Sequence, residues 1–297
     1  MPFPAVFMPS RIASAWKIRT RRCVQIKKKR EIKGKVYPSH LQVRKKIFII
    51  DKTAGAFYLQ KDLCLWNRRN IVMGRTYVMS DIHGMAHLLE EMLGRIGFSP
   101  EDCLYILGDL IDRGPDPAGV LDLVMGKENI TVLTGNHEDA FASWYESEAD
   151  KVGNPYYYNT YEVLMDSRKT EEKLPEYVRF VKGLPLYKKV KLDGICYLLA
   201  HASTEEALRV WKRRDPFIWD SSMVDRQRGI PGYVSIVGHV PTFIIRGYPH
   251  EPATIWRSPD GRLIDVDCGA VFPVMGGRLG CLCLETGEEF YVQDKRL

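Results

Sequence analysis

Two hydrophobic rhythms alternate along the chain after residue 73. Thr76–Ser80 is a β-rich run, followed by Asp-Ile-His-Gly and then by apolar residues at Leu88, Leu89, Met92 and Ile96, one face of a helix. Cys103–Leu107 is a second run, followed by Gly-Asp-Leu-Ile-Asp-Arg-Gly. Pro115 and Pro117 then lead into a helix predicted over 118–125, with proline near its start. Ile130–Leu133 is a third run, followed by Gly-Asn-His-Glu and a helix predicted to reach about Glu148. Asp81, Asp109 and Asn136 follow the three runs at intervals of 28 and 27 residues. That is the spacing of repeated βα units, so the strands should be parallel, with their C-terminal ends on one edge. Polar side chains at such an edge are where open α/β sheets place their sites.

From Asn154 to about Gly183 the pattern is helical and aromatic-rich (Tyr156, Tyr157, Tyr158, Tyr161, Tyr177, Phe180), which reads as helix packing and not as a stacking platform. Strands return at Tyr187–Leu192, Ile195–Ala200, Val234–Val237, Leu263–Val266, Gly280–Leu284 and Phe290–Val292. Asp193-Gly194 and Thr286-Gly287 are turn signals, the first a strong hairpin cue. Parallel units followed by hairpins predict a two-sheet α/β sandwich.

Composition adds a boundary to this picture. The chain has 297 residues, 45% hydrophobic and 27% charged, a globular composition with room for a sizeable core. Its longest apolar run, Ile195–Ala200, is strand-sized, so no membrane span is expected. Seven scattered cysteines argue against a disulfide framework and for a reducing, cytoplasmic setting. The net charge of +6 is uneven: residues 1–72 hold 18 Lys+Arg against 3 Asp+Glu, whereas residues 73–297 hold 25 against 34. The alkaline balance therefore belongs to the first segment, and the main body does not read as a nucleic-acid binder. Residues 1–72 are expected to be a basic, disordered extension, dispensable for activity, because Met73-Gly-Arg-Thr-Tyr-Val-Met-Ser80 resembles a start leading straight into a first strand. A nucleic-acid-binding or localisation arm is one alternative. A mitochondrial presequence is the other, since residues 1–30 carry several arginines and no acid.

The loops after the first three strands carry Asp81 and His83, then Asp109, then Asn136; two later strands end in Ala200-His201-Ala202 and Gly238-His239-Val240. Two carboxylates, one carboxamide and three imidazoles form a mixed oxygen and nitrogen donor set. That set suits manganese, iron or zinc better than magnesium or calcium. The absence of cysteine from it disfavours a structural zinc. Six ligands are too many for one catalytic ion with an open position and about right for two ions sharing a carboxylate.

Asp-x-His alone is a weak signal. Gly108-Asp-Leu-Ile-Asp-Arg-Gly114 is far stronger, and its order with Gly135-Asn-His-Glu138 and a later Gly238-His239 makes coincidence remote. On these motifs, residues 75–292 resemble the calcineurin-like metallophosphoesterases, within them the phosphoprotein phosphatase branch and its small bacterial and phage members. These include serine/threonine phosphatases and symmetrical diadenosine tetraphosphatases. The resemblance implies the α/β sandwich of that family and two divalent metal ions, manganese first. It implies that Asp81 and His83 hold one ion, that Asp109 bridges, and that Asn136, His201 and His239 hold the other. Arg113 would grip the substrate phosphate, as a guanidinium matches phosphate oxygens bidentately. His137, oriented by Asp112, would protonate the leaving oxygen. A metal-bridging hydroxide would attack in line, with no phosphoenzyme.

Two departures shape the expectation. Val240 and Pro241 follow His239 where related nucleases carry a further histidine, which favours the phosphatase branch. Protein phosphatases carry a second phosphate-gripping arginine in Trp-x-Arg; here the match is Trp219-Asp220-Ser221, leaving Arg226, or Arg213 or Arg214, to substitute. The expected activity is hydrolysis of phosphomonoesters, phosphoserine and phosphothreonine in proteins first. Symmetrical bis(5'-nucleosyl)-tetraphosphate cleavage is the alternative, and a nuclease or a silent scaffold of the same fold follow behind. Other residues read more plainly. His87 is surface or supporting, His40 and His250 carry no role, and Cys281 and Cys283 are core. Glu138 is a helix-start residue favoured by the dipole, and Asp265, Asp267 and Cys268-Gly269 lie near a strand end, where support of the site is the lesser of two readings.

Overall fold

Strand ends, not helices, assemble the molecule's polar centre. In the computed structural model of the protein the described residues are 74–146, 159–166, 172–248 and 251–295, all within one unit, Arg68–Leu297. The basic extension 1–72, Met73, Tyr156–Tyr158, His40 and His250 lie outside the described residues.

The three anticipated units are present: β1 (Thr76–Met79), α1 (Ala86–Arg95), β2 (Cys103–Ile106), α2 (Pro117–Val124), β3 (Ile130–Val132) and α3 (Asn136–Glu146). Asp116 caps α2, its carboxylate accepting the Gly119 N–H at 2.8 Å, with Pro117 in the first turn. Then come α4 (Thr160–Asp166), α5 (Leu174–Lys182), β4 (Tyr187–Leu192), β5 (Ile195–Ala200), α6 (Asp215–Trp219), α7 (Ser222–Asp225), β6 (Val234–Val237) and α8 (Thr242–Ile245). The chain continues as β7 (Trp256–Arg257), β8 (Leu263–Asp265), β9 (Leu279–Cys283) and β10 (Glu289–Val292). Among the described residues no helix is long and apolar enough to cross a membrane.

Two five-stranded mixed sheets result, ordered β10-β9-β1-β2-β3 and β4-β5-β6-β8-β7. β1, β2 and β3 are parallel, as their spacing predicts. The Asp193-Gly194 turn joins antiparallel β4 and β5, with both residues at positive φ (47° and 84°), the geometry a two-residue hairpin needs. The second sheet departs from the hairpin expectation, because β5, β6 and β8 are also parallel. The chain between β5 and β6 carries α6 and α7 as a crossover, as parallel neighbours require.

Alternation along the strands sorts the core into layers. Tyr77, Met79, Cys281 and Cys283 face α1, α2 and α5, whose buried stripe includes Leu88, Met92, Tyr177 and Val181. Val78 and Leu282 face the other way and meet Leu199, Ile236 and Ile264 of the second sheet. Leu198 and Ala200 pack outward on Phe217 and Ile218, and Val237 and Leu263 on Met223 and Val224. The order is helices, sheet, sheet, helices. Both cysteines of β9 sit in the first apolar layer, as their alternation implies.

Candidate metal centre

The C-terminal ends of β1, β2, β3, β5 and β6 open onto one buried cluster. The first two loops run side by side: the N–H groups of Asp81, His83 and Gly84 donate to the carbonyls of Gly108 (3.1 Å), Asp109 (2.9 Å) and Leu110 (2.7 Å). Any Cβ on Gly135 would collide with the Asp109 carboxylate, and any Cβ on Gly238 with that of Asp81, so glycine at these two positions lets the loops close. Six functional residues take left-handed backbone conformations: Asp81 (φ 53°), His83 (49°), Asp109 (54°), Asp112 (66°), Arg113 (68°) and His239 (73°). For side chains other than glycine this costs on the order of 1 kcal/mol each, held by the surrounding fold.

Asp109 is the hub. Its Oδ2 lies 3.6 Å from His83 Nε2, 3.5 Å from His201 Nε2 and 3.8 Å from His137 Nε2, and its Oδ1 accepts the His137 N–H at 3.1 Å. Asp81 closes one side, with Oδ1 3.9 Å from His83 Nε2 and Oδ2 accepting the His239 N–H at 3.0 Å. On the other side His201 Nε2, His239 Nδ1 and Asn136 Oδ1 lie 2.9 to 3.1 Å from one another. Two clusters of metal-capable atoms share Asp109: His83 with His137, and His201 with His239.

The donor chemistry fits cations. His83 Nδ1 donates to the Ile111 carbonyl (2.9 Å) and His201 Nδ1 to that of Leu107 (3.1 Å), which leaves each Nε2 lone pair aimed inward. A single proton on His239 Nδ1 can satisfy either His201 Nε2 or Asn136 Oδ1, not both. Burial keeps the rings neutral. It holds His83 and His201 well below the usual imidazole range, and with the charges of His137 and Arg113 it holds His239 at about 4. Burial raises Asp109 well above the usual carboxylate range, reinforced by Asp81 and Glu138. Neutral nitrogens around an uncompensated carboxylate form a site that a divalent ion relieves.

Asp112 and Arg113 complete the centre. Asp112 Oδ2 accepts from His137 Nδ1 at 2.7 Å; its Oδ1 accepts the Thr160 N–H (2.9 Å), and its own N–H donates to Thr160 Oγ1 (2.8 Å). The first residue of α4 thus fixes the carboxylate, and His137 Nε2 faces Asp109. Arg113 Nη1 lies 2.7 Å from His83 Nε2, and its guanidinium stacks 5.7 Å over Phe272. Arg226 lies apart from these contacts, with its half-exposed guanidinium paired to Glu205 at 2.6 Å. Arg213 pairs with Glu206 and Arg214 with Asp139. Trp219 does approach, edge-on to His239 at 6.2 Å. His87 pairs with Asp294 at 3.3 Å. Asp265 and Asp267 are buried; burial pushes both well up, helped at Asp265 by the charges of Asp267 and Asp81 and at Asp267 by that of Asp81.

One residue does more than the sequence implied. Glu138 is fully buried, and its carboxylate accepts the N–H groups of Asp109 (2.8 Å), Leu110 (2.8 Å) and Gly135 (2.9 Å). It ties the loop of the hub carboxylate to the loop of Asn136. An acid in the first turn of a helix reads as a dipole partner, and only its place inside Gly-Asn-His-Glu hinted at more. Glu138→Ala leaves three buried N–H groups unpaired and is expected to cost ~2–4 kcal/mol in chemical denaturation. Glu138→Gln, which keeps one acceptor oxygen, should cost less. An alanine variant as stable as the parent would remove this role.

The profile of the Calcineurin-like phosphoesterase family matches residues 74–257. A symmetrical bis(5'-nucleosyl)-tetraphosphatase of Acidovorax sp. (strain JS42) is 33% identical over 130 residues, 42% of this chain and 43% of that protein. Serine/threonine-protein phosphatase 2 of Escherichia coli (strain K12) is 32% identical over 131 residues, 42% of this chain and 57% of that one. Serine/threonine-protein phosphatase 1 of Salmonella typhimurium (strain LT2) is 29% identical over 178 residues, 56% of this chain and 78% of that one. The chain therefore spans less than half the length of the tetraphosphatase that it matches. A crystal structure described as a candidate diadenosine tetraphosphatase shares the fold, with a TM-score of 0.54 at 19% identity, over 74% of this chain and 94% of that one. With the profile match running through every loop that builds the centre up to His239, the chain belongs to the calcineurin-like phosphoesterases.

Proposed function

We propose that the chain hydrolyses phosphate monoesters, with phosphoserine and phosphothreonine in proteins as its first substrate class. The observation that carries this is Asp109 set between inward-facing imidazole lone pairs, with the His137–Asp112 pair at 2.7 Å beside it. Asp81, His83 and Asp109 would hold one divalent ion, and Asp109, Asn136, His201 and His239 a second, with manganese favoured and iron or zinc the alternatives. Ions bound there supply positive charge for the phosphate and lower the pKa of water. The chain's own part is positioning and proton delivery. Arg113 grips two phosphate oxygens in its fork. His137 Nε2 hands a proton to the departing alkoxide, a poor leaving group without one, while Asp112 holds the ring and stabilises its charged form. Attack by water is in line, with no phosphoenzyme.

Symmetrical cleavage of dinucleoside tetraphosphates is the second reading, favoured by the Acidovorax relative. The greater coverage of the Salmonella phosphatase, 78% against 43%, ranks the monoesterase first. Steady-state rates with manganese on a phosphoserine peptide and on diadenosine tetraphosphate decide between them. A higher kcat/KM on the peptide is expected; the reverse order assigns the second reading. No turnover of either by the metal-loaded protein would mark a silent scaffold.

A further inference from the structure

Beside Arg113 and His239 lies a hollow of about 300 Å³ that the proposed chemistry leaves unused. Its walls are Phe243, Phe272, Tyr248, Ile244 and Met275. Three of these are aromatic and mutually tilted: Phe243 meets Phe272 at 5.9 Å and 81°, and Tyr248 at 5.8 Å and 48°. Phe243 is buried, and its ring covers Gly269 so closely that any Cβ there would strike it. Tyr248, Ile244 and Met275 are 55%, 43% and 43% exposed, large apolar surface left open to water directly beside the centre.

The lining says what fits. Apart from Arg113 and His239 its one hydrogen-bonding side chain is the Tyr248 hydroxyl, so the edge of a nucleobase would go largely unpaired here. Tilted aromatic walls favour another ring. A quaternary cation would also suit aromatic faces, but the Arg113 guanidinium already lies over Phe272 and opposes it. A second hollow of about 500 Å³, walled by Met85, Pro115 and Val271, also has Arg113 in its lining. Two hollows that share the phosphate-gripping arginine accommodate a peptide whose chain runs on to either side of its phosphorylated residue, the phosphate itself ending at Arg113.

We infer that the Phe243–Phe272–Tyr248 hollow is a specificity subsite for an aromatic side chain adjacent to the phosphorylated residue of a peptide substrate. This rests on the phosphoserine/phosphothreonine reading and adds a sequence preference to it. Burying a ring in a preformed apolar wall is worth on the order of tenfold in kcat/KM.

The test uses the full-length, manganese-loaded protein and three phosphoserine peptides. They are identical except for phenylalanine before, phenylalanine after, or alanine on both sides of the phosphoserine. One phenylalanine peptide should exceed the alanine peptide by about tenfold in kcat/KM. In Ile244→Asp, which puts a carboxylate into the hollow from an exposed position, and in Tyr248→Ala, the phenylalanine-to-alanine ratio should fall toward one. Because each ratio is taken within one protein, loss of active material cancels. Hydrolysis of all three peptides at equal rates overturns the subsite and leaves the phosphatase reading standing. A preference that survives both substitutions also overturns it. Hydrolysis of diadenosine tetraphosphate but of no peptide overturns the reading beneath it.

Discussion

Asp109→Asn should abolish turnover of every phosphate ester, a loss of about three orders of magnitude or more. Asp109 is the one carboxylate among the described residues that both metal-capable clusters share, at 3.5 to 3.8 Å from three imidazole nitrogens. An asparagine there offers one neutral oxygen and an NH₂ that donates to an imidazole lone pair. It would knit the cluster together with hydrogen bonds where the parent needs a cation. Plasma mass spectrometry should find fewer than two ions per chain. Stability should move the other way. In the metal-free parent Asp109 is held well above the usual carboxylate range by burial, Asp81 and Glu138, so the folded state binds a proton more tightly than the unfolded one. Its contribution to stability is present below the unfolded pKa and is lost as pH rises through the folded one. The metal-free variant should therefore melt at or above the parent at pH 8, with the gap closing toward pH 4. Retention of two ions would remove Asp109 from its place between them.

The second large effect concerns the proton. His137→Asn should lower kcat on alkyl phosphates by about two to three orders of magnitude, the range for a lost general acid. On p-nitrophenyl phosphate, whose phenolate leaves without a proton, the loss should be about tenfold. The reason is the 2.7 Å bond to an Asp112 that Thr160 fixes at both its carboxylate and its N–H. Asp112→Asn should reproduce the pattern in milder form. Equal losses on both substrates would leave His137 a binding residue only.

The first sheet was legible because local and global signals agree. Each of its first three strands is a short apolar run, each next helix begins after a loop of three to ten residues, and the chemistry sits at the junctions. The parallel pairing of β5, β6 and β8 was not legible, because more than thirty residues separate β5 from β6 and the helices between them, α6 and α7, are only five and four residues long. The two-residue β7 carries no periodicity at all. At the centre, Asp81, His83, Asp109, Asn136, His201 and His239 could be named from loop position and donor chemistry, and all six meet. Glu138 could not be read that way. The work of a buried carboxylate depends on which N–H groups it meets, and that is settled by tertiary neighbours and not by spacing.

The left-handed turns at Asp81, His83, Asp109, Asp112, Arg113 and His239 set two selective pressures against each other. Glycine at any of them would relax the main chain while deleting a candidate metal ligand, the candidate phosphate-gripping arginine or the carboxylate that holds His137. A library of this protein sorted only for survival of heating should therefore drift toward inert sequences at those six positions, and hardiness alone would be a misleading guide to a working catalyst.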